Sequence, residues 1–141
     1  MDELLELREY VEQRRYTEAI DLIAEMEEMS REDKINKVRS FTKILLLHLI
    51  KQMAEKRTTR SWNISIRNAV REINYVNCRR KAKGTYLSQT GLSEVISEAY
   101  VSALDGASLE AFGGLYDEQE LGEMVNQSEI EQKALALILG N

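Results

Sequence analysis

Proline is absent from the chain, and glycine is scarce before Gly84. Because proline is the strongest breaker of helices, its absence favours long, uninterrupted helices. Cys78 is the only cysteine, which excludes an internal disulfide and a metal site built from several cysteines. A single cysteine also indicates a reducing compartment.

Long hydrophobic runs are missing as well. The longest apolar stretch covers residues 44–50 and is interrupted by His48, whereas a membrane-spanning helix needs about twenty apolar residues. Residues 1–6 are acidic and lack the basic start and apolar stretch of a signal peptide. We therefore expect a soluble, cytoplasmic protein that does not bind membranes.

The composition is that of a folded domain. The chain has 141 residues, of which 43% are hydrophobic and 30% charged, so it is too apolar to be disordered. Its length suits one domain with a proper core, and we predict a single helical domain over residues 1–141.

Helical periodicity covers most of the chain, and no stretch alternates apolar and polar residues long enough to indicate a sheet. The predicted fold is therefore an all-α bundle of about five to seven helices. A first helix should end near residues 14–15, and a second should begin near Thr17. Ser30, followed by Asp33, has the spacing of a new helix N-cap. This predicts a central helix over about 31–55, apolar almost all round in its second half and therefore surrounded by other helices.

The remaining apolar patterns complete the bundle. They predict a helix over 61–77, with Ser61 as its N-cap, and a fifth helix that ends before Gly113. These helices should form a core over residues 4–112. Two short helices should finish the chain within residues 117–139. The last of them is too apolar to remain in water, so this segment should dock on the core or on a partner.

Positive charge is concentrated in one segment of this acidic protein. Residues 51–83 hold ten Lys/Arg and two Asp/Glu, a local balance of +8, which leaves −13 for the other residues and −5 in total. Arginines on one face of the helix 61–77 surround an aromatic ring and continue into a basic loop over 79–83. Single-stranded nucleic acid is bound by such faces, with bases on the ring and phosphates on the cations. The candidate binding face consists of Arg60, Arg67, Arg71, Tyr75, Arg79, Arg80 and Lys81.

Protein binding competes with nucleic-acid binding as an interpretation of this face. A basic helix can pair with acidic helices of its own chain or of a partner, and a net negative protein repels the phosphate backbone at long range. We favour a non-enzymatic protein-interaction or regulatory module that binds a partner or forms a homodimer, with nucleic-acid binding as the alternative. Pairing of Arg67 and Arg71 with acidic side chains of the second helix would weaken that alternative.

Catalytic chemistry has little support in the sequence. The chain lacks nucleotide-binding, zinc-protease and nucleophile-elbow motifs. His48 is the only histidine, whereas di-iron sites in helical bundles need Glu-x-x-His motifs from two helices. His48, Ser61 and Trp62 form a weaker candidate polar site, although a core residue, an N-cap and a core anchor explain them without chemistry. We predict no catalytic residue, metal or cofactor, and an enzyme is the less favoured class.

A family resemblance rests on the run Leu46-Leu47-His48-Leu49, followed at a characteristic distance by Ser61-Trp62. Together with residues 21–30 and 96–100, these motifs resemble the domain-of-unknown-function family numbered 29 over about residues 6–115. The chain departs from that pattern at Ala69-Val70, where the family has Gln-Arg. The resemblance implies an α-helical fold and a cyanobacterial source, and it implies no established activity.

Overall fold

The computed structural model describes residues 2–79 and 83–141, which fold into α-helices joined by short connections. Within these residues the structure has no β-strand, and its isolated β-bridge joins Cys78 to Thr85. The all-α prediction is confirmed. None of the described helices is long and apolar enough to cross a membrane. The helices are α1 (Glu3–Glu12), α2 (Tyr16–Glu55), α3 (Arg60–Asn77), α4 (Gln89–Glu110), α5 (Glu118–Glu123) and α6 (Gln127–Leu139), with a 3-10 turn over Ala111–Gly114.

Helix α1 has clear local signals at both ends. The Asp2 side chain is the N-cap and accepts a hydrogen bond from the Leu4 amide at 3.0 Å. Beyond the C-cap Gln13, Arg14 adopts a left-handed conformation with φ of 60°. This turn separates α1 from α2, which begins at Tyr16, one residue before the predicted start.

The predicted break at Ser30 is wrong, because α2 runs without interruption from Tyr16 to Glu55. A serine stops a helix only where the chain also leaves helical conformation, and no glycine or proline lies between residues 16 and 55 to cause this. Glu, Met, Arg and Lys surround Ser30 and are strong helix formers. The central helix predicted over 31–55 is therefore the second part of a 40-residue helix.

The chain divides into two compact units, Met1–Lys34 and Ile35–Asn141, and α2 contributes residues to both. Among residues 2–34, only Ala19 and Leu22 are buried. This first unit therefore has little core of its own. The single domain over 1–141 stays a prediction.

The second unit contains one continuous apolar core. Helix α4 packs against α5, α6 and the 3-10 turn, and α6 also packs against α3. Burial of one large aliphatic side chain stabilises the fold by roughly 1.5–3 kcal/mol. The largest fully buried aliphatic side chains of this core are Leu45, Leu46, Ile50, Ile73, Ile96, Leu121 and Ile130.

Two features of this unit refine the expected packing. Helix α6 docks on α4 and α3 of its own chain and buries Ile130, Ala134 and Ile138. The second half of α2 is not surrounded on every side, because Ile44 is 42% exposed. Its buried residues, among them Val38 and Leu45, form one stripe that faces the core, and Ile44 lies off that stripe.

Candidate functional site

Helix α3 begins at Arg60 because Thr59 caps it. Thr59 has an extended backbone (φ −128°), and its hydroxyl accepts a hydrogen bond from the Trp62 amide at 3.1 Å. The prediction that Ser61 is the N-cap is wrong, since Ser61 lies inside the first turn and is exposed. Thr59 and Ser61 are both capping residue types, and only the backbone conformation distinguishes them.

One face of α3 is buried and the opposite face is exposed. Trp62, Ile66, Ala69, Ile73 and Asn77 are buried, as helical spacing requires for one stripe. The side chains on the opposite side of the helix point to solvent. We call this exposed surface the arginine face, and it consists of Arg60, Ile64, Arg67, Asn68, Arg71 and Tyr75.

The positive charge of the arginine face is not neutralised within the described chain. Arg60, Arg67 and Arg71 form no ion pair with a carboxylate among residues 2–79 and 83–141. Arg71 donates a hydrogen bond to the Asn68 side-chain oxygen at 3.3 Å, a contact that leaves its charge intact. Within the second unit, over residues 35–79 and 83–141, no carboxylate therefore compensates the charge of these arginines.

The basic loop after α3 is described only in part. The amide of Arg79 donates to the Gly84 carbonyl at 3.1 Å, and its guanidinium lies 6.0 Å from the centroid of the Tyr86 ring. Arg80 and Lys81, which the sequence adds to the candidate binding face, lie outside the described residues. Of the loop cations in the candidate binding face, Arg79 is therefore the one that lies within the described residues.

A second charged cluster surrounds Trp62 on the buried side of α3. The ammonium group of Lys51 lies 4.6 Å from the centroid of the Trp62 ring, and the guanidinium carbon of Arg57 lies 4.7 Å from it. Lys51 is 5% exposed and donates to the Glu110 carboxylate at 3.0 Å. Cation–π contacts, and an ion pair between buried Lys51 and the half-exposed Glu110, thus hold the start of α3 to the ends of α2 and α4.

Glu55 extends this cluster to the 3-10 turn. Its carboxylate accepts hydrogen bonds from the Arg57 side chain at 2.9 Å and from the Phe112 amide at 3.2 Å. Burial by itself would raise the pKa of Glu55, but these two hydrogen bonds, together with the charges of Arg57 and Lys51, outweigh it and lower the pKa. The backbone of Phe112 is left-handed, with φ of 53°. Glu55 therefore stabilises a backbone conformation that residues other than glycine rarely adopt.

His48 lies beside this cluster and has no catalytic partner there. Its Nδ1 is buried and makes no hydrogen bond. Burial, followed by the nearby Lys51 charge, lowers the pKa of His48, while Glu110 opposes this in part. A neutral imidazole without a hydrogen-bonded nucleophile or orienting group lacks the geometry of a catalytic base.

The three residues of the weaker polar site therefore have separate surroundings. Trp62 is 9% exposed and anchors α3 in the core, His48 is half-buried on α2, and Ser61 is exposed. In the described part of the chain, no group of three or more His, Cys, Asp or Glu side chains is arranged to hold a metal ion. Sequence reasoning missed Lys51 and Glu110 because these partners are 59 residues apart.

Similarity to known proteins is found at the level of a family. No curated protein and no solved structure matches the chain. The model of one protein family, described as domain of unknown function DUF29, matches residues 6–121. This range contains most of the apolar core, the arginine face and the cluster around Trp62. Because the match covers most of the chain, the protein belongs to the DUF29 family.

Proposed function

We propose that the chain is a protein-interaction module that binds an acidic partner surface through the arginine face of α3. One observation supports this proposal above all others. Three exposed arginines on one helix face lack ion pairs in the described structure, although the chain contains 24 acidic residues. Guanidinium groups held on a rigid helix are well suited to bind carboxylates of a partner through bidentate hydrogen bonds.

The apolar members of the face favour a protein partner. Ile64 is 37% exposed and Tyr75 is 59% exposed, and both lie in line with the arginines. Protein interfaces are enriched in Tyr and Arg, and a few such residues dominate the binding energy. An exposed aliphatic side chain between Arg60 and Arg67 can be buried against a protein surface, whereas it gains little from a phosphate backbone.

The overall charge also favours a protein partner. Residues 35–141 carry 14 basic and 12 acidic residues, a net charge of +2, and the whole chain carries −5. Such a protein has no long-range attraction for a polyanion. Local recognition by the arginine face can still select an acidic patch of similar size.

Binding of single-stranded nucleic acid is the second candidate function. It is supported by Tyr75 at the end of the line of arginines, because a base can stack on an exposed ring while its phosphates contact guanidinium groups. Protein binding and nucleic-acid binding would use the same residues. They differ in which probe binds more tightly, the acidic peptide or oligo-dT, and in how steeply the affinity falls with salt.

Fluorescence anisotropy with the full-length protein would test the proposal. The probes are a labelled amphipathic helical peptide of Glu and Leu and a labelled oligo-dT of matched charge. Arg67→Glu should weaken peptide binding roughly tenfold, because an exposed attraction of up to about 1 kcal/mol becomes a repulsion and 1.4 kcal/mol corresponds to a factor of ten. Lys133→Glu is the matched control, since Lys133 is an exposed cation on α6.

Each outcome separates the candidate functions. Peptide binding that Arg67→Glu weakens and Lys133→Glu preserves supports the proposal. Equal affinities of the two variants would place the binding surface elsewhere. Tighter binding of oligo-dT, with a steep loss between about 50 and about 200 mM salt, would favour nucleic acid instead. In that case Tyr75→Ala should cost about 1–3 kcal/mol through loss of stacking.

A further inference from the structure

The first unit carries a surface that complements the arginine face. An open groove runs between α1 and the first part of α2, with apolar atoms of Leu22 and Ala24 among carboxylates. Residues 1–34 hold 12 acidic and 5 basic residues, a net charge of −7. We call this surface the acidic groove, and it is lined by Glu6, Tyr10, Glu18, Asp21, Leu22, Ala24, Glu25 and Glu28.

Most carboxylates of the acidic groove are available for a cationic partner. Asp21, Glu25 and Glu28 form no hydrogen bond or ion pair with the described residues. Glu18 pairs with Arg15 at 3.5 Å, and the Arg15 guanidinium lies 4.9 Å from the centroid of the Tyr10 ring. The groove therefore already holds one arginine by the two contacts, carboxylate and aromatic ring, that further arginines would use.

We propose that the acidic groove binds the arginine face of a second copy of this chain. The inference rests on the proposed function and names its partner. The two surfaces have opposite charges, and each has exposed apolar atoms among its charges, from Ala24 in the groove and from Ile64 and Tyr75 on the arginine face. In a two-fold dimer each copy supplies the groove for α3 of the other, so that the contact is made twice.

Residue spacing defines the register of this contact. Asp21 and Glu25 of the acidic groove, and Glu32 one turn of α2 beyond the groove, follow one another at intervals of four and seven residues. Arg71, Arg67 and Arg60 show the same intervals in the reverse direction along α3. Helices presenting residues at these intervals place them on one face. An antiparallel arrangement therefore brings three carboxylates opposite three guanidinium groups, with Glu25 facing Arg67 of the second copy.

Charge exchange tests the inference. Sedimentation of the full-length protein should show a dimer that dissociates at high salt, because the pairs are exposed. Arg67→Glu and Glu25→Arg, each alone, should weaken self-association about tenfold per contact and so about a hundredfold over two contacts. Lys133→Glu should leave it unchanged. An equimolar mixture of the two impaired variants should recover a heterodimer with one native and one exchanged pair.

Other outcomes would contradict the proposed dimer, the proposed function or both. A chain that is monomeric at all concentrations, or a dimer that survives Arg67→Glu, would overturn the inference. Loss of the dimer in both variants without recovery in the mixture would also overturn it, since the pair would then not be in contact. The Glu25→Arg variant, whose arginine face is intact, tests the proposed function independently of the dimer. If that variant binds the Glu/Leu peptide, the function stands without the dimer, and if it does not, the function fails too.

Discussion

Replacement of Asn77 tests how the structure holds the chain on either side of the basic loop. Asn77 is 3% exposed at the end of α3. Its side-chain oxygen accepts from the Leu87 amide at 2.8 Å, and its side-chain nitrogen donates to the Leu87 carbonyl at 3.2 Å. One buried amide thus joins the end of α3 to the residues that precede α4.

The cost of Asn77→Ala follows from these contacts. The Leu87 carbonyl keeps a second donor, the Thr85 hydroxyl at 2.7 Å, but the Leu87 amide loses its partner. A buried donor without a partner costs about 1–3 kcal/mol, and the lost packing adds to this. We expect a total of about 2–3 kcal/mol, which lowers the melting temperature by roughly 6–15 °C in a domain of this size.

Asn77→Asp should respond to pH in a way that Asn77→Ala does not. The aspartate would face the Leu87 carbonyl with an oxygen in place of the amide nitrogen, and burial would raise its pKa above the unfolded value of about 3.9. A folded-state pKa above the unfolded one means that stability is full at low pH and is lost as pH rises through the folded pKa. Acidification from pH 7 toward pH 5 should therefore restore part of the stability that the Asn77→Asp variant has lost relative to the wild type.

Urea unfolding followed by Trp62 fluorescence measures these differences, because Trp62 is the only tryptophan and lies in the same unit as Asn77. Asn68→Ala, on the exposed side of α3, is the control and should change stability by less than about 0.5 kcal/mol. A loss below about 1 kcal/mol for Asn77→Ala, or the same pH profile for both Asn77 variants, would refute the reasoning.

Two further predictions concern the ends of α2 and α3. Because burial and then Lys51 lower the pKa of His48, the wild type should lose stability as pH falls below the unfolded histidine value of about 6.5. The His48→Gln variant should not show this loss of stability below about pH 6.5 when urea midpoints are measured by Trp62 fluorescence. If the midpoints of the variant and the wild type change with pH in the same way, the prediction is wrong. Thr59→Ala should cost about 1 kcal/mol, whereas Thr59→Ser should cost less. Equal losses in thermal unfolding would show that the hydroxyl does not contribute as a cap.

Helical positions were largely predictable because they depend on local spacing. The predicted helix over 61–77 differs from α3 by one residue, and the short terminal helices lie close to α5 and α6. The break predicted at Ser30 was wrong because a capping signal acts only where the chain leaves helical conformation. The prediction of Ser61 as the N-cap of α3 was wrong for the same reason.

The candidate site was predictable only in part. The spacing of Arg60, Arg67 and Arg71 placed them on one face of α3, because each lies a whole number of turns from the others. Spacing could not decide whether carboxylates of the same chain cover them. It also did not reveal Lys51 and Glu110, whose ion pair needs the ends of α2 and α4 to meet.

The amino-acid sequence by itself determined the all-α class, which face of α3 is buried, and the position of its arginines on the opposite face. These properties depend on the absence of proline and on the spacing of apolar residues within one helix. Tertiary structure alone decided that Lys51 pairs with Glu110 and Arg39 with Glu98, and that the Nδ1 of His48 lacks a partner. Such contacts depend on distances between segments far apart in the chain, and only packing of the core defines those distances.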